Sequence, residues 1–371
     1  MPDLLVDDKC MQALQPMLMG VASHLKARLV EGKYFAIRYH HDCDGICAGV
    51  CVFKALNSLP GEAEGNVAIT SIPSPSAVIT INDAYNDLNK LNDSKDTVML
   101  ILDHGANSES IAGLEILKSA GVELILIDHH PFDRKAQRLA KFFISPFIAG
   151  GNSSHTAGLL CYELAKAINP GSVEKQLAYF SLQSDKSEFR LQNKEYKQPL
   201  AIDYLASIEE CGLNFYEVII EDEAAMDDAF SQATEKIEAA MKKSEHYTEV
   251  RDFGKYAVVV AKVGKFLAKG EFPNRGKIMN EIIARKEREL NKPLVCLGIL
   301  DDGISFRANA KVLKMGFDAN AIIQELKRIF GNEVYEGGGH SAAASIRGSR
   351  DAIGAIEKET IGQIKLLLSD K

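Results

Sequence analysis

The chain has 371 residues and a formal net charge of −8, long enough for two domains with a core that needs no disulfide or metal staple. No apolar run reaches about 18 residues, and the acidic opening MPDLLVDDKC lacks the basic-then-apolar order of a secretion signal. Both features argue against a membrane partner and give a cytoplasmic expectation.

The first half alternates short β-rich runs with helical patterns. Strands are predicted at 34–39, 66–72, 97–103 and 122–128, and helices at 46–58, 82–91, 108–120 and 156–167. TVMLILD and VELILID are continuously apolar and end in aspartate. Such runs read as strands buried on both faces of a parallel sheet. The predicted fold class is therefore α/β: an N-terminal open parallel sheet with flanking helices over 1–197, a helical connector over 198–246, and a smaller C-terminal α/β domain over 247–371.

Charge divides along the same line. Residues 247–371 carry 21 Lys and Arg against 16 Asp and Glu, a net of +5, which leaves −13 on the rest. A basic half beside an acidic one suits a partner bearing phosphates. The seven cysteines are odd in number and form no CxxC pair, so free buried thiols are expected. Cys43, Cys47 and Cys51, spaced i, i+4, i+8, read as the small apolar face of a helix rather than as thiolate ligands.

Open α/β sheets place their sites beyond the carboxyl ends of the strands. Four acidic or His-rich clusters fall at such places or after a helical stretch: His40-His41-Asp42-Cys43-Asp44-Gly45, Asp103-His104-Gly105, Asp128-His129-His130, and Ser184-Asp185. In extended chain, residues two apart share a face, so His40, Asp42 and Asp44 converge while His41 points away. Any one of these histidines is more often structural. Several acidic–His clusters at successive strand ends point instead to a pair of divalent ions.

The ordered set His40-x-Asp42-x-Asp44-Gly45, Asp103, Asp128-His129-His130 and Asp185, followed by Gly337-Gly338-Gly339-His340, resembles the DHH phosphoesterase superfamily with its C-terminal DHH-associated domain. Asp302–Arg307 resembles the strand that precedes the glycine run. The resemblance covers residues 34–348. It implies one ion on His40, Asp42 and Asp103, and a second on Asp44, Asp103, His129 and Asp185, most often Mn2+, with Mg2+ or another divalent ion as substitutes. It implies catalytic roles for His130, as donor to a phosphate oxygen, and for Asp128, as the residue orienting a ligand imidazole. Ser154, His155, Arg307, Gly338, Gly339 and His340 are the implied substrate contacts. For Ser154 and His155, helix capping is the stronger reading of the residues themselves.

The function so implied is a RecJ-like exonuclease hydrolysing single-stranded DNA or RNA to mononucleotides with a water activated by two metal ions. An alternative keeps the chemistry on short oligonucleotides, cyclic dinucleotides or a nucleoside bisphosphate. A further one is a scaffold subunit among replication or repair proteins.

Overall fold

The computed structural model describes residues 3–59, 68–91, 95–268, 270–339 and 341–369. Contacts divide the chain into two compact units, residues 1–231 and 232–371.

The first unit opens with helix α1 (Lys9–Val30), whose N-cap Asp8 accepts from the Met11 amide. Its stripe of Met11, Leu14, Leu18, Val21 and Leu25 is buried at helical spacing. This helix is absent from the predicted elements, and Pro16 interrupts its pattern. There follow β1 (Tyr34–His40), α2 (Cys43–Asn57), β2 (Ile69–Ser74), α3 (Ile81–Lys90), β3 (Thr97–Leu102), α4 (Ile111–Ser119), β4 (Glu123–Ile127), α5 (Arg134–Leu139) and the three-residue β5 (Phe142–Ile144). The five strands are parallel, in the order β2-β1-β3-β4-β5. Every residue of β3 is buried, as expected of a strand covered on both faces; each such Leu or Ile contributes roughly 1.5–3 kcal/mol.

Register positions the site. Tyr39 pairs with Leu102, and Leu102 with Ile127, so His40, Asp103 and Asp128 are the next residues at the carboxyl ends of three adjacent strands. The order 2-1-3-4-5 reverses direction between β1 and β3, which is where ligands bind in sheets of this kind.

Helices α6 (Ala157–Ile168), α7 (Lys175–Ser184), α8 (Gln198–Ile208), α9 (Leu213–Ile219) and α10 (Glu223–Ser244) complete the series. Helix α2 is almost wholly buried and packs on α6, α7, α8 and α9. Cys43, Cys47 and Cys51 are buried, unpaired thiols on it. The stretch expected as a connector, 198–246, is largely helical, but α8 and α9 belong to the first unit and the division falls within α10.

The second unit contains β6 (Thr248–Asp252), β7 (Ala257–Ala261), α11 (Arg275–Leu290), β8 (Leu294–Ile299), β9 (Gly303–Ala308), α12 (Ala310–Lys314), α13 (Ala319–Phe330), β10 (Val334–Gly339), β11 (Ala343–Gly348) and α14 (Ile353–Ser369). Its sheet runs β10-β11-β9-β8-β7-β6. Only β7 and β8 are parallel; the other neighbours are antiparallel. The glycine run therefore lies in a strand. Gly337, Gly338 and Gly339 form the end of edge strand β10, paired with β11. A Cβ at Gly339 would lie 2.6 Å from the Ala343 carbonyl oxygen, so close strand approach accounts for that glycine.

Candidate metal centre

The first cluster does not converge by strand periodicity. The chain leaves β1 after His40 and turns at once into α2, with Asp42 as N-cap accepting from the Gly45 amide at 3.1 Å. Asp44 occupies the first turn of the helix. A Cβ on Gly45 would come 2.1 Å from the His40 carbonyl oxygen, so only glycine permits this tight return. His41 turns away, its Nε2 at 2.9 Å from the Tyr216 hydroxyl.

Asp103 follows β3 with φ +64°, a left-handed conformation that aspartate tolerates better than most residues and that collects at functional sites. Its carboxylate faces both ways: Oδ2 lies 3.4 Å from His40 Nδ1, and Oδ1 lies 3.2 Å from His129 Nε2. Asp42 Oδ2 is 2.8 Å from His40 Nδ1. His129 Nε2 also meets Asp185 Oδ2 at 3.4 Å and Asp44 Oδ2 at 3.5 Å. All six expected ligands thus come together. Their donor atoms fall into the groups His40–Asp42–Asp103 and Asp44–His129–Asp185, with Asp103 also beside His129 and His130.

Three of these atoms, His40 Nδ1, Asp103 Oδ1 and His129 Nε2, are buried and have no aligned hydrogen-bond partner. They are near one another but out of line, which is costly unless another group satisfies them. His129 Nδ1 lies 2.7 Å from the Ser153 carbonyl oxygen. That contact keeps a proton on Nδ1, so Nε2, which faces the carboxylates, is the nitrogen that would bind an ion in exchange for its own proton. The residues fit a divalent cation on this evidence.

Electrostatics agree. Burial, reinforced by the charge of Asp103, raises the Asp44 carboxyl to about 6. Burial and the charge of Asp44 push Asp185 well above the usual carboxylate range. Burial would lower His129, yet the Asp103 contact and the charges of Asp44, Asp103 and Asp185 lift it well above an ordinary imidazole. Such a concentration of carboxylates calls for positive charge.

Asp44 is held independently of any ion. Its oxygens accept from the Ala157 amide at 3.0 Å, the Gly158 amide at 2.7 Å and the Ser181 hydroxyl at 2.6 Å. The first amides of α6 are thereby spent on Asp44 and are not offered to a phosphate. Ser181 lies one turn before Asp185 on α7, a helical spacing that marks it in retrospect.

Asp128 does not orient the ligand His129. Its Oδ1 takes the His130 amide at 3.0 Å and faces His130 Nδ1 at 2.9 Å. Burial opposes ionisation of Asp128, but the His130 ring and amide hold it down to about 2. His130, with 45% of its side chain exposed, is raised above an ordinary histidine: burial works against this and the Asp128 contact outweighs it.

The expected substrate contacts divide between the two units. His155 is buried, with Nε2 2.8 Å from Asp8 Oδ2 and Nδ1 3.2 Å from the Asn152 carbonyl; it fastens α1 to the segment before α6. Ser154 is engaged through its backbone, its amide on Asn152 and its carbonyl on the Ser187 hydroxyl. Thr156 is the N-cap of α6. In the second unit, half-buried Arg307 donates through Nε to Asn280 Oδ1 at 3.0 Å. Register sets Arg307 opposite Ala343 and Gly339 opposite Ala344, so Arg307, Gly338 and Gly339 share one part of that sheet. His340 lies outside the described residues.

Residues 35–184 match the family model described as DHH family, N-terminal domain. An uncharacterized protein of Methanocaldococcus jannaschii is 25% identical over 94% of this chain and 54% of its own length, so the chain spans about half of that curated relative. Among solved structures, the DHH domain of a member of a ribosomal-protein family aligns with a TM-score of 0.87 at 22% identity, covering 98% of this chain and 93% of that one. Exonuclease RecJ bound to manganese gives a TM-score of 0.61 at 15% identity over 94% of both chains. RecJ in complex with Mn2+ from Thermus thermophilus gives 0.59 at 15% identity, over 94% of this chain and 54% of that one. At these identities the structural likenesses establish the fold. Residues 35–184 thus form a DHH-family N-terminal domain, and the chain has a RecJ-like fold.

Proposed function

We propose that this chain is a metal-dependent phosphodiesterase that removes mononucleotides from single-stranded DNA or RNA. The observation that carries the chemistry is the convergence of three buried, unsatisfied atoms, His40 Nδ1, Asp103 Oδ1 and His129 Nε2, amid four carboxylates. His40, Asp42 and Asp103 would hold one ion, and Asp44, Asp103, His129 and Asp185 a second. When bound, such ions supply Lewis-acid polarisation of a phosphoryl oxygen and acidify water at neutral pH.

The chain's own residues do the rest. Ser153 fixes the His129 tautomer. Ser181 and the amides of α6 hold the Asp44 carboxylate in place. Asp128 takes the Nδ1 proton of His130 in a hydrogen bond, leaving its other ring nitrogen to donate to a phosphate oxygen when the ring is charged. Arg307 provides a planar fork suited to phosphate on the second unit.

Nucleic acid is favoured as substrate by the basic second half of the sequence and by the likeness to structures of exonuclease RecJ. The overall charge of −8 favours the smaller-substrate alternative. A product time course with manganese on end-labelled single-stranded DNA, the matching RNA and a dinucleotide separates them. Processive release of mononucleotides from the long strands supports the proposal; hydrolysis of the dinucleotide alone replaces it with the alternative; no hydrolysis of any of them refutes the enzyme reading.

A further inference from the structure

We infer that the second unit carries a stacking surface for a single nucleic-acid strand, built on Tyr247 and Phe266 and separate from the Arg307 and Gly339 region. It rests on the nucleic-acid reading above. The two rings lie with centroids 6.1 Å apart and planes 20° from parallel. Tyr247 keeps 43% exposure, and Phe266 is half-buried. Backbone contacts fix both: the Lys262 amide donates to the Tyr247 carbonyl at 2.9 Å, and the Phe266 amide to that of Val263 at 3.2 Å. They border a depression of about 580 Å³ that is also lined by Lys243, His246, Lys265 and Glu271.

Cations of the second unit fall into paired and unpaired sets, and among the described residues exposed Arg288, Lys314, Arg350 and Lys358 are unpaired away from the rings. Arg251, Arg285, Lys286, Lys292 and Arg328 each face a carboxylate. Among the described residues, Lys243, His246, Lys262 and Lys265 are exposed and none has a carboxylate within ion-pairing distance. Glu249 feels the charge of Lys262 and Glu271 lines the same depression, so these cations are partly offset, yet none is locked in an ion pair and each keeps some attraction for phosphate. Exposed aromatic faces beside such cations are the pattern of surfaces that bind single strands without sequence preference. A protein partner fits less well, because lysines are depleted in protein–protein interfaces.

Topology sets this surface apart. Thr248 pairs with Ala261, and Ala261 with Gly298, so Tyr247 and Lys262 lie just past the carboxyl ends of β7 and β8, at the β6 edge. Arg307 pairs with Cys296, toward the amino end of β8. Gly339 is on β10 at the opposite edge, five interstrand spacings or about 24 Å from β6.

The test is anisotropy of a labelled oligothymidylate of about 20 nucleotides titrated with the full chain in EDTA, across a salt series. Tyr247→Ala should weaken binding at least about fivefold, while Tyr247→Phe retains it. Combined Lys243→Ala, Lys262→Ala and Lys265→Ala should reduce the log–log salt slope by about 2. If the parent binds the strand with a salt-dependent affinity and these variants match it, the surface assignment is wrong and the substrate reading stands. If the parent binds no strand at low salt, both fall.

Discussion

Replacing Asp185 by asparagine should stabilise the metal-free chain and at the same time blunt its response to manganese. In the Asp44–His129–Asp185 group the donor atoms lie within 4.8 Å of one another. Two carboxylate charges at that separation repel by about 3.5 kcal/mol at an effective dielectric near 20. His129 between them offsets part of this, and the 30% exposure of the Asp185 side chain screens more. A net gain of about 1–2 kcal/mol for Asp185→Asn remains, or roughly 2–8 °C in Tm for a unit of this size.

The size of this gain depends on pH. A carboxyl raised in the folded state costs nothing while it is protonated in both states, and its penalty is complete above the folded value, so the variant's advantage should grow as pH rises. Thermal melts in EDTA and in excess Mn2+ provide the assay. The parent should gain about 2.7 kcal/mol at a metal concentration a hundred times Kd, and the variant distinctly less. A variant less stable than the parent in EDTA would refute the reasoning, because Asp185 would then be a net favourable partner of His129.

Other outcomes follow from single contacts. Asp87→Ala strands the Arg38 guanidinium, which is 4% exposed and lies 2.5 Å from Asp87, and should cost about 3–5 kcal/mol in denaturant titration. Gly45→Ala forces a Cβ onto the His40 carbonyl; calorimetry should show metal affinity falling together with a loss of about 1–3 kcal/mol of stability. His130→Ala should lower kcat on a phosphodiester by roughly 10²–10⁴-fold while bound manganese, measured by elemental analysis, is unchanged.

The sheet and the clustering of the candidate ligands are legible in the sequence because each signal is local. The apolar runs of β3 and β4 end in aspartates, and strand adjacency then brings Asp103 and Asp128 beside His40. What is hard to read comes from distant parts of the chain. The Ser153 carbonyl that orients His129 carries no side-chain signal. The two α6 amides on Asp44 are contributed more than 110 residues away. One expectation fails for a local reason: Asp42 caps a helix instead of continuing a strand. His155 resembles a phosphate contact in sequence, but its partner Asp8, at the start of α1, is visible only in the fold.

Manganese binding measured by equilibrium dialysis on the parent and on Asp103→Ala bears most directly on the proposed two-ion centre. Asp103 alone presents one oxygen toward His40 and the other toward His129. The parent should bind two ions per chain, and Asp103→Ala should lose affinity at both positions, by about tenfold or more at each. A parent that binds no manganese, or a variant that retains both ions at unchanged affinity, would contradict the account.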